Sequence, residues 1–302
     1  MSNKPVKPAN VDTPQGLAFA MAAYLMWGFM PLYMKMLAHI PPAEVVAHRV
    51  IWSVPIAAVV LIVLGRTNDL IEALRTPRTL IMACVTAVLV SINWGIYVWS
   101  IASDRALDAA LGYYINPLFS VALGAMLLGE RPTKAQGVAI ALAALAVAVL
   151  WIDAGTLPWA AVGLTVSWGF YAFFKKSLPV GPNQGFMLEV LILLPLGLGY
   201  VTYLSTTGQG HFTVAGTDMA WLMGAGVVTA VPLMTYANGA KLLRLSTIGV
   251  LQYIAPTLIF LVAVLVFGEP FDHARMIAFP MIWVALVIYS VSMWRQLRHS
   301  KM

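Results

Sequence analysis

Ten stretches of mostly apolar residues follow one another along the chain, and each is close to the length of about 20 residues that a helix needs to cross a membrane. Hydrophobic residues make up 61% of the chain and charged residues only 10%, against about 25% charged residues in soluble domains. The sequence therefore predicts an all-α integral membrane protein with ten transmembrane helices. The predicted spans are residues 16–38, 44–64, 79–101, 107–128, 134–152, 158–178, 185–204, 219–240, 246–267 and 273–296.

Two short motifs recur at a spacing of nearly half the chain. Tyr-Ile-x-Pro occurs at residues 114–117 and 253–256, an offset of 139 residues, and Trp-Gly-Phe occurs at 27–29 and 168–170, an offset of 141. Spans one to five therefore correspond to spans six to ten. Because five is an odd number, the two halves are predicted to be inverted repeats. Many secondary transporters have this architecture and bind substrate near the bilayer midplane, between the repeats.

The domain organisation and the topology follow from this repeat. An N-terminal tail at residues 1–15 precedes a first five-helix repeat at 16–152, and a second five-helix repeat at 158–296 precedes a C-terminal tail at 297–302. With the N terminus in the cytoplasm, all but four of the 18 Lys and Arg residues fall in cytoplasmic segments. This positive-inside bias predicts that both termini are cytoplasmic.

Polar and aromatic residues occupy the middle of several predicted spans. Trp and Tyr that anchor a helix at the membrane surface prefer the ends of spans, so these mid-span residues are expected to face the protein interior. For any one of them, a hydrogen bond between helices is as good an interpretation as a substrate contact. For the whole set, drawn from both halves, we predict an aromatic-lined substrate path. The path residues are Trp27, Asn93, Tyr97, Tyr113, Tyr114, Asn116, Trp168, Tyr236, Asn238, Gln252 and Tyr253.

Two prolines lie near the middle of the fourth and ninth spans. Pro117 and Pro256 each remove a backbone donor and are expected to kink their helices towards a polar interior. Further along each span, the pairs Gly129-Glu130 and Gly268-Glu269 are predicted to end the helix, because glycine adopts the left-handed conformation typical of a C-cap.

Arg49 lies five or six residues inside the second span, and a charge at such a depth is a functional hypothesis by default. One interpretation is that Arg49 attracts a substrate carrying a carboxylate or a phosphate. The alternative is an ion pair with Glu44, Asp104 or Asp108 that holds the outer end of the bundle together. Under the first interpretation, Arg49 lies at one mouth of the path.

Glu189 lies 140 residues after Arg49, at the matching place in the second repeat and near the opposite mouth of the path. It could carry a coupling proton if burial favours its neutral form. The alternative is an ion pair with Lys175 or Lys176 at the cytoplasmic end of the sixth span. Proton coupling is therefore one interpretation of this residue and structural pairing is the other.

Other classes of protein find little support in the residues. The single cysteine, Cys84, and five histidines without ligand spacing predict no metal site and no cofactor. No catalytic residues are predicted, and no basic stripe with aromatics indicates a nucleic-acid partner. Small residues at 135, 139 and 143 predict close helix packing in a monomer, with homodimer formation as the alternative. An intramembrane enzyme acting on lipid-linked substrates and a non-transporting scaffold stay open as alternative functions.

Several blocks of sequence resemble the RarD family of permeases, within the EamA branch of the drug/metabolite transporter superfamily. They are residues 48–53 (HRVIWS), 93–94 (NW), 111–118 (LGYYINPL), 129–130 (GE), 244–247 (RLST), 252–257 (QYIAPT) and 282–286 (IWVAL). The resemblance implies a bacterial inner-membrane permease with two EamA-type halves, in a family whose name is associated with chloramphenicol sensitivity. Related members of the superfamily export amino acids and other small metabolites. The expected function is export of a small polar or amphipathic solute across the lipid bilayer by alternating access.

Overall fold

The computed structural model describes residues 13–128, 132–240, 242–243, 247–248 and 251–299, and every regular element among them is helical. The Gly129-Glu130 pair and most of the two predicted tails lie outside these residues. The helices are α1 (Pro14–Met36), α2 (Pro42–Val63), α3 (Thr67–Leu74), α4 (Pro77–Ala102), α5 (Ala106–Leu128), α6 (Lys134–Ala154), α7 (Trp159–Ser177), α8 (Pro182–Thr207), α9 (Gly216–Ala240), α10 (Ile254–Leu261), which continues as a π-helical turn (Val262–Val266), and α11 (His273–His299).

Eight of these helices are long and apolar enough to cross a membrane, namely α1, α2, α4, α5, α6, α8, α9 and α11. The protein is therefore an all-α, multi-pass membrane protein, as predicted. The two remaining predicted spans correspond to α7 and to the shorter stretch Ile254–Val266. That all ten cross the membrane, as inverted repeats with cytoplasmic termini, stays a prediction.

The helix ends follow local sequence signals. Helices α1, α2, α4 and α8 each begin with a proline, which has no N–H to leave unpaired in the first turn. Helix α6 begins with a capping box, in which Thr133 and Gln136 each bond the other's backbone N–H. It ends at Gly155, which has the left-handed φ of 66°. These signals explain why the predicted and observed spans agree closely at most ends.

The main helix contacts join residues 14–154 to residues 159–299. Helix α6 packs on α11, α1 on α9, α2 on α8 and α9, and α5 on α7. Two glycines allow backbones to touch across this divide. A Cβ on Gly226 of α9 would lie 2.3 Å from the backbone carbon of Trp52 in α2, and one on Gly112 of α5 would lie 2.8 Å from the carbonyl oxygen of Ala161 in α7. The two predicted repeats thus form one interlocked bundle.

The two prolines of the repeated motif differ in their settings. Pro117 lies inside the continuous helix α5. The described helix α10 begins at Ile254, so Pro256 occupies its first turn, where a missing N–H leaves no partner unsatisfied. The predicted mid-helix position is therefore wrong for Pro256. The local departure from α-helix comes later, in the π-helical turn Val262–Val266.

Candidate functional site

A cavity of about 160 Å³ lies inside the bundle between α1, α2, α4, α5, α7, α9 and α10. It contains most of the predicted path residues and one of the predicted charges. These are Trp27, Arg49, Asn93, Tyr97, Tyr113, Asn116, Trp168, Tyr236, Gln252 and Pro256. The lining also includes residues that the sequence did not single out for the path, namely Tyr24, Met30, Trp94, Thr229, Leu233, Ala255 and Ile259.

Aromatic rings form two walls of this cavity. In the first wall, Trp27 of α1 lies 5.5 Å from Tyr236 of α9, measured between ring centroids, and both contact Tyr24. In the second wall, Tyr113 of α5 lies 6.0 Å from Tyr97 of α4 and 6.4 Å from Trp168 of α7. We call these the Trp27 wall and the Trp168 wall. Each combines aromatic side chains from both halves of the chain, in geometries that favour aromatic pairs.

Arg49 lies in the cavity lining itself and not at a mouth. Its side chain is only 2% exposed. Its Nε donates to Thr229 Oγ1 at 2.9 Å, and the guanidinium lies 4.8 Å from the ring centroid of Trp94. Its Nη1 is buried and has no hydrogen-bond partner among the described residues. The guanidinium is therefore held in place but incompletely paired.

The acids that the sequence offered as partners for Arg49 are paired elsewhere. The pairs are Glu44 with His211, Asp104 with Lys35, and Asp108 with Arg105 and Arg275. Glu44 also accepts the backbone N–H of His211 at 2.7 Å, so both of its oxygens are used. Within the described residues, no carboxylate forms an ion pair with Arg49. The alternative in which Arg49 holds the outer end together is wrong for this structure.

Glu189 has the opposite environment. Its side chain is 0% exposed and does not line the cavity. One carboxylate oxygen accepts from Lys175 Nζ at 2.6 Å, and the other accepts from the Tyr171 hydroxyl at 3.2 Å. The structure thus contains the ion pair with Lys175 that the sequence gave as the alternative to a proton carrier.

Three lining residues differ in how completely their polar atoms are used. Asn93 donates from Nδ2 to Leu164 O and Ser167 Oγ and accepts from the Tyr113 hydroxyl at 3.3 Å, so it links α4 to α5 and α7. The Tyr97 hydroxyl and Asn116 Oδ1 are buried without a partner among the described residues. Buried polar atoms are normally paired, so these two are available to a ligand.

Comparison with known proteins identifies the family. Residues 14–152 match the EamA-like transporter family. The chain is 42% identical over 285 residues to an uncharacterized transporter of Vibrio cholerae serotype O1, covering 94% of each protein. It is 38% identical over 292 residues to Protein RarD of Escherichia coli K12, covering 96% of this chain and 99% of that protein. The chain belongs to the RarD family.

A solved crystal structure shares the fold of this RarD family protein. It superposes with a TM-score of 0.61 and covers 93% of this chain and 98% of its own, at 20% sequence identity. Family membership, together with the apolar helices, makes the protein a multi-pass membrane transporter of the drug/metabolite type. The resemblance on which the sequence interpretation relied is confirmed.

Four predicted residues of this RarD family protein lie away from the cavity. Tyr114 and Tyr253 line a separate apolar groove with Phe260 and Trp283. Asn238 bonds a carbonyl of its own helix, and Pro117 is absent from the cavity lining. Residues one apart on a helix point about 100° from each other, whereas those three or four apart share a face. Hence Tyr113 and Asn116 reach the cavity and Tyr114 does not.

The end of the bundle that carries the connections 37–41, 103–105, 208–215 and 267–272 is tied together by polar contacts, and we call it the upper end. Besides the ion pairs given above, Glu269 accepts the backbone N–H groups of Ala106 at 2.6 Å and Leu107 at 2.9 Å, at the start of α5. Gly268 has the predicted left-handed φ of 67°. Burial raises the pKa of the Glu269 carboxyl, while the two N–H groups lower it. This cap joins residues 163 apart, so no local signal could reveal it.

Proposed function

We propose that this RarD family protein is a secondary active transporter that exports a small polar or amphipathic metabolite, such as an amino acid or a chloramphenicol-like compound, through the central cavity. The observation that carries the proposal is a cavity walled by aromatic side chains of both halves and containing buried polar atoms without protein partners. A packing core would have paired those atoms. The transporter names of the relatives agree with this interpretation.

Alternating access between two states is part of this proposal. The repeated motifs place Trp27 opposite Trp168 and Tyr97 opposite Tyr236, and each wall of the cavity contains one residue of each pair. Two walls of matching composition support inverted repeats around one central site. The contacts at the upper end support a state in which that end is closed.

We further propose that the upper end faces away from the cytoplasm in the bacterial inner membrane, with both termini cytoplasmic. Single cysteines introduced at Gln209 and Arg66, in a background with Cys84→Ser, test this sidedness because both sites are exposed. A membrane-impermeant maleimide applied to spheroplasts is expected to label position 209 and not position 66. The reverse pattern would contradict the proposed orientation.

Counterflow in liposomes tests transport itself. Protein reconstituted in vesicles preloaded with an unlabelled solute is expected to accumulate the same labelled solute, with amino acids and chloramphenicol as the first panel. Replacing both Trp27 and Trp168 by Ala is expected to reduce the rate about tenfold or more, because each removes most of one cavity wall. Phe29 and Phe174 lie on the same two helices but are exposed, and their double Ala variant is the matched control.

An intramembrane enzyme remains the second candidate. Acid-base catalysis needs titratable groups that converge on the reacting atoms. In the described cavity lining, Arg49 is the one charged side chain and the other ionisable groups are tyrosines. Counterflow equal in the double Trp and double Phe variants would remove the cavity from the transport path. Chemical conversion of a solute incubated with the purified protein would favour the enzyme.

A further inference from the structure

Arg49 indicates what kind of solute the cavity binds. An arginine side chain stays protonated in proteins, and moving its charge out of water is expensive unless a counter-charge or several hydrogen bonds compensate. In the described residues, Arg49 has one hydrogen bond, to Thr229, and an aromatic face, from Trp94. Neither carries a negative charge. The charge balance of the cavity is therefore completed by something other than these side chains.

The unused part of the guanidinium defines the geometry of that missing partner. Nε is taken by Thr229 and one face of the guanidinium is covered by Trp94, which leaves Nη1 as a buried donor in the cavity lining. The Tyr97 hydroxyl is a second buried group without a partner in the same lining. A planar carboxylate accepts hydrogen bonds from a guanidinium in matched geometry and can accept others at the same time.

The number of charges favours a single negative charge on the solute. The described lining offers one cation, Arg49, and no second Lys, Arg or His. A phosphate dianion would bring a second negative charge into a low-dielectric space without a counter-charge, which is costly. A monocarboxylate would be neutralised by Arg49 alone.

The size and the walls of the cavity restrict the rest of the molecule. Its volume of about 160 Å³ is close to that of the roughly 150 Å³ apolar cavity known to accommodate benzene. The Trp27 wall and the Trp168 wall present ring surfaces on which a flat apolar body can pack. A body of about the size of one six-membered ring fits this space.

We propose that the cavity binds a small monocarboxylate, whose carboxylate pairs with Arg49 and whose apolar body packs between the Trp27 wall and the Trp168 wall. The inference rests on the proposed transport function for its biological meaning, but not for its test. It also separates the two solutes of that proposal, because an amino acid carries a carboxylate and chloramphenicol is uncharged at neutral pH.

A matched pair of probes tests the charge requirement on the wild-type protein. Phenylacetate and phenylacetamide have nearly the same shape and differ in charge. Binding to the purified full-length protein in detergent is measured by calorimetry at pH 7, with inorganic phosphate as a third probe. Phenylacetate is expected to bind about ten- to a hundredfold more tightly than phenylacetamide, the range for a charge-assisted hydrogen bond. Equal binding of acid and amide, or binding of phosphate alone, would overturn the proposal.

Variants then assign the effect to Arg49. Arg49→Gln is expected to lose the preference for phenylacetate over phenylacetamide, and Arg49→Lys to keep part of it, because lysine retains the charge without the planar fork. Arg66→Gln is the control, since Arg66 is exposed and pairs with Asp69 outside the cavity. An unchanged preference in Arg49→Gln would overturn the assignment. The wild-type comparison of acid and amide keeps the test decisive if that variant does not fold.

Binding and counterflow separate failure of this inference from failure of the transport proposal. Counterflow of uncharged solutes that depends on both Trp residues but not on Arg49 would overturn the carboxylate site and leave transport intact. Arg49-dependent binding of phenylacetate without counterflow of any carboxylate would support the site and contradict transport.

Discussion

Arg49 and Glu189 occupy matching places in the two halves of the sequence, 140 residues apart, and both are buried. Their surroundings are opposite. Glu189 is satisfied by Lys175 and Tyr171, away from the cavity. Arg49 lies in the cavity lining with a donor to spare. Equivalent positions in a repeat therefore do not imply equivalent roles, and the partners of a buried charge distinguish structure from binding.

The physical basis of the contrast is the cost of an unpaired charge. Removing one member of a buried ion pair leaves the other charge uncompensated, whereas removing a charge that has no counter-charge leaves nothing behind. Variants at the two sites are thus expected to differ in kind, with stability changing at Glu189 and solute binding changing at Arg49.

The largest expected effect comes from Glu189→Gln. Because it leaves the Lys175 ammonium buried without a counter-charge, we expect the free energy of unfolding to fall by about 3–5 kcal/mol. Unfolding in detergent, followed by circular dichroism, measures the change. Adding Lys175→Met removes both charges and is expected to recover most of the stability. If Glu189→Gln is as stable as wild type and abolishes the pH dependence of transport, Glu189 is a proton carrier and the contrast with Arg49 fails.

Arg49→Gln is expected to leave stability within about 1 kcal/mol of wild type, because no opposite charge is stranded and Thr229 still donates to the Ala225 carbonyl at 2.7 Å. Counterflow of a carboxylate solute is expected to fall about tenfold or more. The same unfolding and counterflow assays apply. A loss of stability as large as that of Glu189→Gln would make Arg49 a structural charge as well.

Thr229→Val tests the neutral partner of Arg49 at nearly constant side-chain volume. It removes the oxygen that fixes Nε, so the guanidinium is oriented less well, and carboxylate affinity is expected to fall by about three- to tenfold. Calorimetry with phenylacetate measures the effect, and the affinity for phenylacetamide is the internal reference. A parallel loss for both probes would indicate a change of cavity shape instead.

Tyr171→Phe is the corresponding change beside Glu189 and has the smallest expected effect. It removes one hydrogen bond from a carboxylate that keeps Lys175, so unfolding is expected to become easier by about 0.5–1.5 kcal/mol, with counterflow unchanged. Reduced counterflow at unchanged stability would place the Glu189 cluster in the transport path.

Most of the helical segments could be predicted because runs of about 20 apolar residues have few alternatives in a bilayer. Several cavity residues could also be predicted from polarity and depth. Where neighbouring residues such as Tyr113 and Tyr114 are both polar and aromatic, composition does not decide which one faces inward. Spacing does, because Tyr113 and Asn116 are three apart and share a helix face.

The pairing of charges could not be predicted in the same way. Whether Arg49 has an acid partner depends on where Glu44, Asp104 and Asp108 find theirs, and Glu44 bonds a histidine 167 residues away. The Glu269 cap on α5 is equally non-local. Such contacts follow from how the two halves interlock, which sequence periodicity does not specify.

The direct contact between the backbones at Gly226 and Trp52 bears on how such a bundle changes shape. No layer of side chains separates α9 from α2 at this point, so neither helix can slide along the other through a change of rotamers. The two helices are expected to travel together as one body, although they come from different halves of the gene product. The moving parts would then be assembled from helices of both repeats, and the hinges would lie within each repeat instead of between the two.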